Sequence, residues 1–229
     1  MFRCRSLMLV AALGVVSPVA AADYFPIVDG VIWAYHSSSP QWDDQYTTRF
    51  AGTEVVNGVT TRVMRFTGGQ DDGLQHFWTE APAGDKFLHG WSAPGGLHNE
   101  FVPPLLEVDA PLVLGKTWDV ATVGSLTGPL TVHYLVAAVG LVTVPAGTFQ
   151  AFTIEIQLEW PAALKALGVS VFGTRRAASD AEVDERRMYA DGAGLIGWSV
   201  GWRVDELLGI DAPVGVEQVT WTAVRQLYR

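Results

Sequence analysis

Short runs in which apolar and polar residues alternate, cut by turn residues about every ten positions, fill most of the chain beyond residue 30. Alternation of period 2 puts successive side chains on opposite faces of an extended strand, so each run predicts a strand with one dry and one wet face. Ile32–His36 is the first. Tyr46–Val56 and Val59–Phe66 flank Asn57-Gly58, the pair suited to a type I′ hairpin turn, where both central residues need positive φ. Leu74–Glu80 and Lys86–Trp91 flank Ala81–Asp85 as a second hairpin, and Trp118 sits in a short strand. Leu130–Val144 and Phe149–Trp160 form the clearest hairpin, closed by Pro145-Ala146-Gly147. There Phe152, Ile154, Ile156, Leu158 and Trp160 alternate with Thr153, Glu155, Gln157 and Glu159, which predicts the first set inside and the second outside. Ser92–Leu114 holds four prolines and two adjacent glycines and reads as irregular cover over one end of the sheet. Pro161–Gly168 is the one helix candidate, with proline first and glycine last. Val169–Phe172 and Glu182–Tyr189 read as strands around a polar tip at Thr174–Asp180, and Val216–Tyr228 as a final strand. The class is all-β and mainly antiparallel, with at most one short helix after the leader.

The leader is residues 1–22. Arg3 and Arg5 precede the apolar run Leu7–Val16, Ser17-Pro18 breaks it, and small residues at Val19–Ala22 place cleavage after Ala22 or Ala21. That run is too short to span a bilayer, and no later stretch of the mature chain reads as a transmembrane segment. Cys4, the single cysteine, leaves with the leader, so a mature domain of residues 23–229 must be held by its core rather than by disulfides. The full chain carries a net charge of −9, and loss of Arg3 and Arg5 takes it to −11. Such a chain is poorly suited to nucleic acid or anionic lipid. The expected location is periplasmic or secreted.

Two catalytic patterns overlap in YADGAGLIGWSVGW, Tyr189–Trp202. Gly192, Gly194 and Gly197 spell the dinucleotide fingerprint G-x-G-x-x-G, which requires a helix to start at the turn and hold a pyrophosphate. The alternation of Trp198, Val200 and Trp202 against Ser199, Gly201 and Arg203 predicts a strand there instead. Gly197, Ser199 and Gly201 spell G-x-S-x-G, whose serine must sit on a strained strand-to-helix turn. Ser199 falls inside the alternating run, and no histidine follows His133 in the chain. Asp191–Gly194 reads as a glycine-rich turn feeding a strand.

Four segments together, YFPIVDGVIWAY (Tyr24–Tyr35), LGKTWDV (Leu114–Val120), VTVPAGTFQAFTIEI (Val142–Ile156) and YADGAGLIGWS (Tyr189–Ser199), resemble segments of uncharacterised exported bacterial proteins grouped as domains of unknown function. The resemblance runs in the family's order and spacing, with Met188 where an aromatic residue stands before the tyrosine. It implies a strongly curved sheet, a partly open barrel or sandwich, and an envelope location. It brings no catalytic residues.

His36, His76, His89, His98 and His133 lack metal-ligand spacing, and each reads as a surface or loop residue. Asp43-Asp44 and Asp71-Asp72-Gly73 read as acidic turns. No catalytic, cofactor-binding or metal residue is indicated, and no cofactor. Among nine tryptophans, Trp33, Trp118, Trp160, Trp198, Trp202 and Trp221 fall on alternating strands and read as core. Trp42, Trp78 and Trp91 lie in or beside polar turns and are the candidate ligand contacts, because an indole is an apolar ring with one polar handle. The leading expectation is a non-catalytic envelope protein, a β-sheet binding or assembly module for an apolar ligand, a glycan or a protein segment whose identity the chain does not reveal. The alternative is a hydrolase acting on an envelope polymer or ester.

Overall fold

The computed structural model describes residues 22–159 and 184–211. Trp160, Trp221, the helix candidate Pro161–Gly168, the tip Thr174–Asp180 and the segments Val169–Phe172 and Val216–Tyr228 lie outside them. Among the described residues, twelve strands follow one another around a closed antiparallel barrel. They are β1 (Ile32–Ser38), β2 (Asp43–Val56), β3 (Val59–Thr67), β4 (Gln75–Glu80), β5 (Lys86–Ala93) and β6 (Leu97–Val108), then β7 (Thr117–Gly124), β8 (Gly128–Val144), β9 (Gly147–Glu159), β10 (Glu185–Ala190), β11 (Gly194–Val200) and β12 (Arg203–Asp211). Each strand pairs with the next, and β12 returns to β1 through Ile32–Asp211 at one end and Ser38–Val204 at the other. Closure removes the free edges that an open sheet would expose.

The predicted hairpins are present. Asn57 and Gly58 both have positive φ, 51° and 78°, as the type I′ turn requires. On β9, Ile154 and Ile156 are fully buried, Phe152 and Leu158 half-buried, and Gln157 and Glu159 exposed. Glu155 faces out and takes a hydrogen bond from Arg186 Nε at 2.9 Å.

Two expectations fail. Ser92–Leu114 contains β6, a strand of 12 residues that carries Pro103 and Pro104. A proline cannot donate to a ladder, and here it does not need to. β6 meets β7 only at Phe101–Gly124 and Val102–Val123, and its ladder with β5 is broken between Glu100 and Leu105. Side chains close the β6–β7 seam instead. Trp118 Nε1 donates to the Leu106 carbonyl at 2.9 Å, and Thr122 Oγ1 donates to that of Pro103 at 2.6 Å. The second failure is the run through Trp202. The strand ends at Val200, Gly201-Trp202 turns, and β12 runs back along β11. Period 2 continued through the turn in sequence, so the turn was hidden.

The barrel has two unlike ends. The lower end bears the β2–β3, β4–β5 and β10–β11 turns, and residues 22–31 lie across it as a strap. Tyr24 and Phe25 of that strap are buried. Phe25 packs on Trp78, Phe50 and Tyr189, with ring centroids 4.8, 5.9 and 6.1 Å away. The glycine-rich turn is the strap's seat. Gly192 N donates to the Asp23 carbonyl at 2.9 Å. A Cβ on Gly194, whose φ is +86°, would lie 3.2 Å from Pro26 Cδ. The overlapping glycines therefore serve a close backbone approach within the fold. The upper end bears the β1–β2, β3–β4 and β11–β12 turns.

Candidate functional site

The inner wall is aromatic. Tyr35 on β1 stacks on Tyr46 of β2 at 5.2 Å, Tyr46 on Phe66 of β3 at 5.9 Å, and Phe66 meets His76 of β4 at 4.8 Å. With Trp78, Tyr189 and Trp198 these rings surround a cavity of about 50 Å³, floored by Phe25 and lined further by Met64, Leu88 and Leu195. That is room for roughly three or four waters, or a similar number of methylene groups. The polar handles of the wall are mostly engaged, as when Tyr35 Oη donates to the Leu195 carbonyl at 2.8 Å. Trp78 is the exception: among the described residues its indole N–H is buried without a hydrogen-bond partner.

Ion pairs hold the wall together. Arg187 on β10 donates to Glu185 on its own strand and, across the lumen, to Glu107 on β6; all three side chains are buried. Burial works against the guanidinium charge, but Glu107 and Glu185 outweigh it and drive the pKa up. Burial pushes Glu107 up to about 7, against the pull of Arg187. His76 is pushed down to about 3, first by burial and then by Arg187, so it stands neutral in the wall. Burial likewise takes Tyr189 up to about 12, leaving its hydroxyl protonated.

A second centre lies towards the upper end. Arg203 Nε donates to Asp205 at 2.9 Å, and its Nη2 reaches Asp71, in a short 3₁₀ turn at Gly69–Asp71 between β3 and β4, at 2.5 Å. The guanidinium lies over Trp198 and Tyr46, 4.9 and 5.7 Å from their ring centres. Tyr46 Oη donates to Asp205 at 2.9 Å, linking this centre to the cavity wall.

The sequence candidates are dispersed. Trp78 and Trp91 are buried rather than partly exposed, because each lies within a strand of the barrel wall, β4 and β5, and not in the turn beside it. Trp78 lines the cavity. Trp42 is half-buried at the upper rim, edge-on to Trp202 at 4.7 Å, with its Nε1 donating to Ser37 Oγ at 3.3 Å. Trp33 is core as expected, whereas Trp118, Trp198 and Trp202 are half-buried. Ser199 lies on the outward row of β11, opposite Arg186 and Val204, with no hydrogen bond to a histidine among the described residues. His36, His98 and His133 each pair with a carboxylate on the outer wall. His76 and His89 do not fit the surface reading: His76 lines the cavity, and His89 is buried and bonded to Thr79 at 2.8 Å. No group of three potential metal ligands occurs among the described residues.

Arg187, Glu185, Glu107, Arg203 and Asp205 were missed because charge was read as a sign of the wet face. A signal existed. In Glu185-Arg186-Arg187-Met188-Tyr189 and Arg203-Val204-Asp205-Glu206-Leu207, charges share the parity of the tyrosine or leucine that ends the run.

No protein-family model matches the chain, and no curated protein does. Among solved structures it is similar to a Bacteroides fragilis protein assigned as exported and described as having a YmcC-like fold. The two are 12% identical with a TM-score of 0.45, over 83% of this chain and 99% of the other. It is also similar to a Parabacteroides distasonis protein assigned as a lipoprotein, at 13% identity and a TM-score of 0.44 over the same shares.

Proposed function

We propose that this chain is an exported, non-catalytic envelope binding module that takes the apolar end of a ligand into its aromatic lumen. The observation that carries the reading is the cavity between Tyr35, Tyr46, Trp78, Tyr189 and Trp198, with the Trp78 N–H free for an acceptor. Its volume sets the ligand. Pockets that enclose a whole drug-sized molecule run to several hundred Å³. A space of about 50 Å³ admits only a tip, such as the last few carbons of an acyl chain, while the remainder stays outside. A sugar ring fits poorly, since its hydroxyls would find few free partners on this wall.

The outer wall favours a water-facing barrel. Glu155, Arg186, Asp119 and His133 lie on it, where a lipid-facing band would be apolar over about 25 Å.

Bromine quenches indole fluorescence on contact, so a fatty acid brominated near its methyl end reports insertion. We expect saturable quenching that weakens in Trp78→Phe and is lost in Leu88→Phe, which fills the cavity. Equal quenching in wild type and Leu88→Phe would remove the lumen as the binding site. Native mass spectrometry of protein taken from its own periplasm identifies the natural ligand.

A further inference from the structure

Among the described residues of the strap across the lower end, Asp23 is held from three sides. Its backbone N donates to Asp191 Oδ1 at 2.8 Å, and its carbonyl accepts from Gly192 N at 2.9 Å. Its carboxylate sits 2.9 Å from Lys86 Nζ, an amine with no solvent exposure that also meets Glu80 at 2.6 Å. Tyr24 and Phe25 follow directly into the core. Among the described residues, charges at this corner are unbalanced: Lys86 is one cation against the carboxylates of Asp23, Glu80 and Asp191, drawn from the strap, β4 and the β10–β11 turn. Yet an aspartate carboxylate is aimed at an uncharged peptide N–H.

We propose that the Ala22–Asp23 peptide bond is the processing site, and that its hydrolysis creates the cation this corner lacks. Water adds across the bond, Ala22 departs with the leader as a carboxylate, and the nitrogen of Asp23 takes up protons to become an α-ammonium. The atom that gains the charge is the one already 2.8 Å from Asp191. A neutral hydrogen bond becomes a charge-assisted one without movement of the strap, and such bonds are shorter and about twice as strong. Cleavage after Ala21, the alternative that the leader's small residues allow, would not do this. It would place the ammonium about 3.8 Å further along the chain and leave the Asp23 amide neutral. The geometry thus chooses between two cleavage points, and processing completes the lower end of the barrel.

N-terminal sequencing and intact mass of the exported protein test the first half. Asp23 is the expected first residue; Ala22 as the first residue overturns the assignment. Thermal unfolding at pH 7 tests the second half, comparing protein that begins with a free Asp23, with Nα-acetylated Asp23, and with Ala22 retained. The free-amine form should melt about 2–4 °C above the other two, as expected for a difference near 1 kcal/mol in a chain of this size. Asp191→Asn keeps the hydrogen-bond geometry without the charge, and should erase the gap. Equal melting temperatures for the free and acetylated forms, or a gap that survives in Asp191→Asn, would overturn the lock.

Discussion

Arg187 and Arg203 are two buried cations in one barrel, each holding two carboxylates, yet they are built for different ends. Both partners of Arg187 belong to the wall, so its bonds tie β10 to β6 across the lumen between two carboxylates with almost no solvent exposure. Arg203 shares one partner with its own strand, but the other, Asp71, belongs to a turn between strands and is partly open. A buried charge stripped of its counter-charge is far costlier than a pair is beneficial, so the first centre is rigid by necessity. The second can lose Asp71 and still keep Asp205.

The sharpest separation is in acid. His76, beside Arg187, has a pKa depressed to about 3 against an ordinary 6.5. Its stabilising contribution is whole above pH 6.5 and is lost as pH falls towards 3, up to about 5 kcal/mol in all. Glu107 acts in the opposite sense. Its pKa is raised to about 7 from 4.5, so stability falls as pH rises through that window, by about 3 kcal/mol. Urea unfolding from pH 3 to 8 should therefore show a maximum between the two limbs. His76→Gln should flatten the acid limb and Glu107→Gln the neutral one.

Next in size is Arg187→Met, which strands Glu107 and Glu185 in the lumen and should cost about 3–5 kcal/mol in denaturant unfolding. A loss below 1 kcal/mol would mean that water reaches the glutamates and the centre is not rigid. Asp71→Asn should cost less, about 1–2 kcal/mol, the range for a hydrogen bond to a charged group. It should also speed hydrogen exchange in the 68–73 turn while leaving β10 protected. Ser199→Ala, on the outer wall away from both centres, should change stability by less than about 0.5 kcal/mol. Labelling of Ser199 by a fluorophosphonate would contradict the binding reading outright.

Much of the fold was legible because most strands obey one rule, apolar inside and polar outside. β9 shows it plainly, and the Asn57-Gly58 turn fixes its hairpin by local chemistry alone. The strands that escaped are those where tertiary contacts override that rule. β6 tolerates Pro103-Pro104 because its neighbours barely pair with it there, a fact about partners that no local window contains. β12 places Arg203 and Asp205 inside because Asp71 and Tyr46, far off in sequence, satisfy them. The cavity was invisible for the same reason. Its rings come from strands β1 to β4, β10 and β11, and Trp78 was noticed only for lying near a turn.

Joining β1 to β12 makes Ile32 and Asp211 neighbours, which has a price in time. During synthesis the N-terminal strands appear first, and β1 then has a β2 partner on one side and a bare row of peptide groups on the other. Nothing can cover that row until nearly the whole barrel has followed. Contacts between sequence-distant residues slow folding because a long loop must be ordered before they form. Over that interval the uncovered strand is a template for any other extended chain. A refolding yield that falls steeply with protein concentration, and recovers when a peptide spanning residues 203–211 is supplied in excess, would be the mark of that late closure.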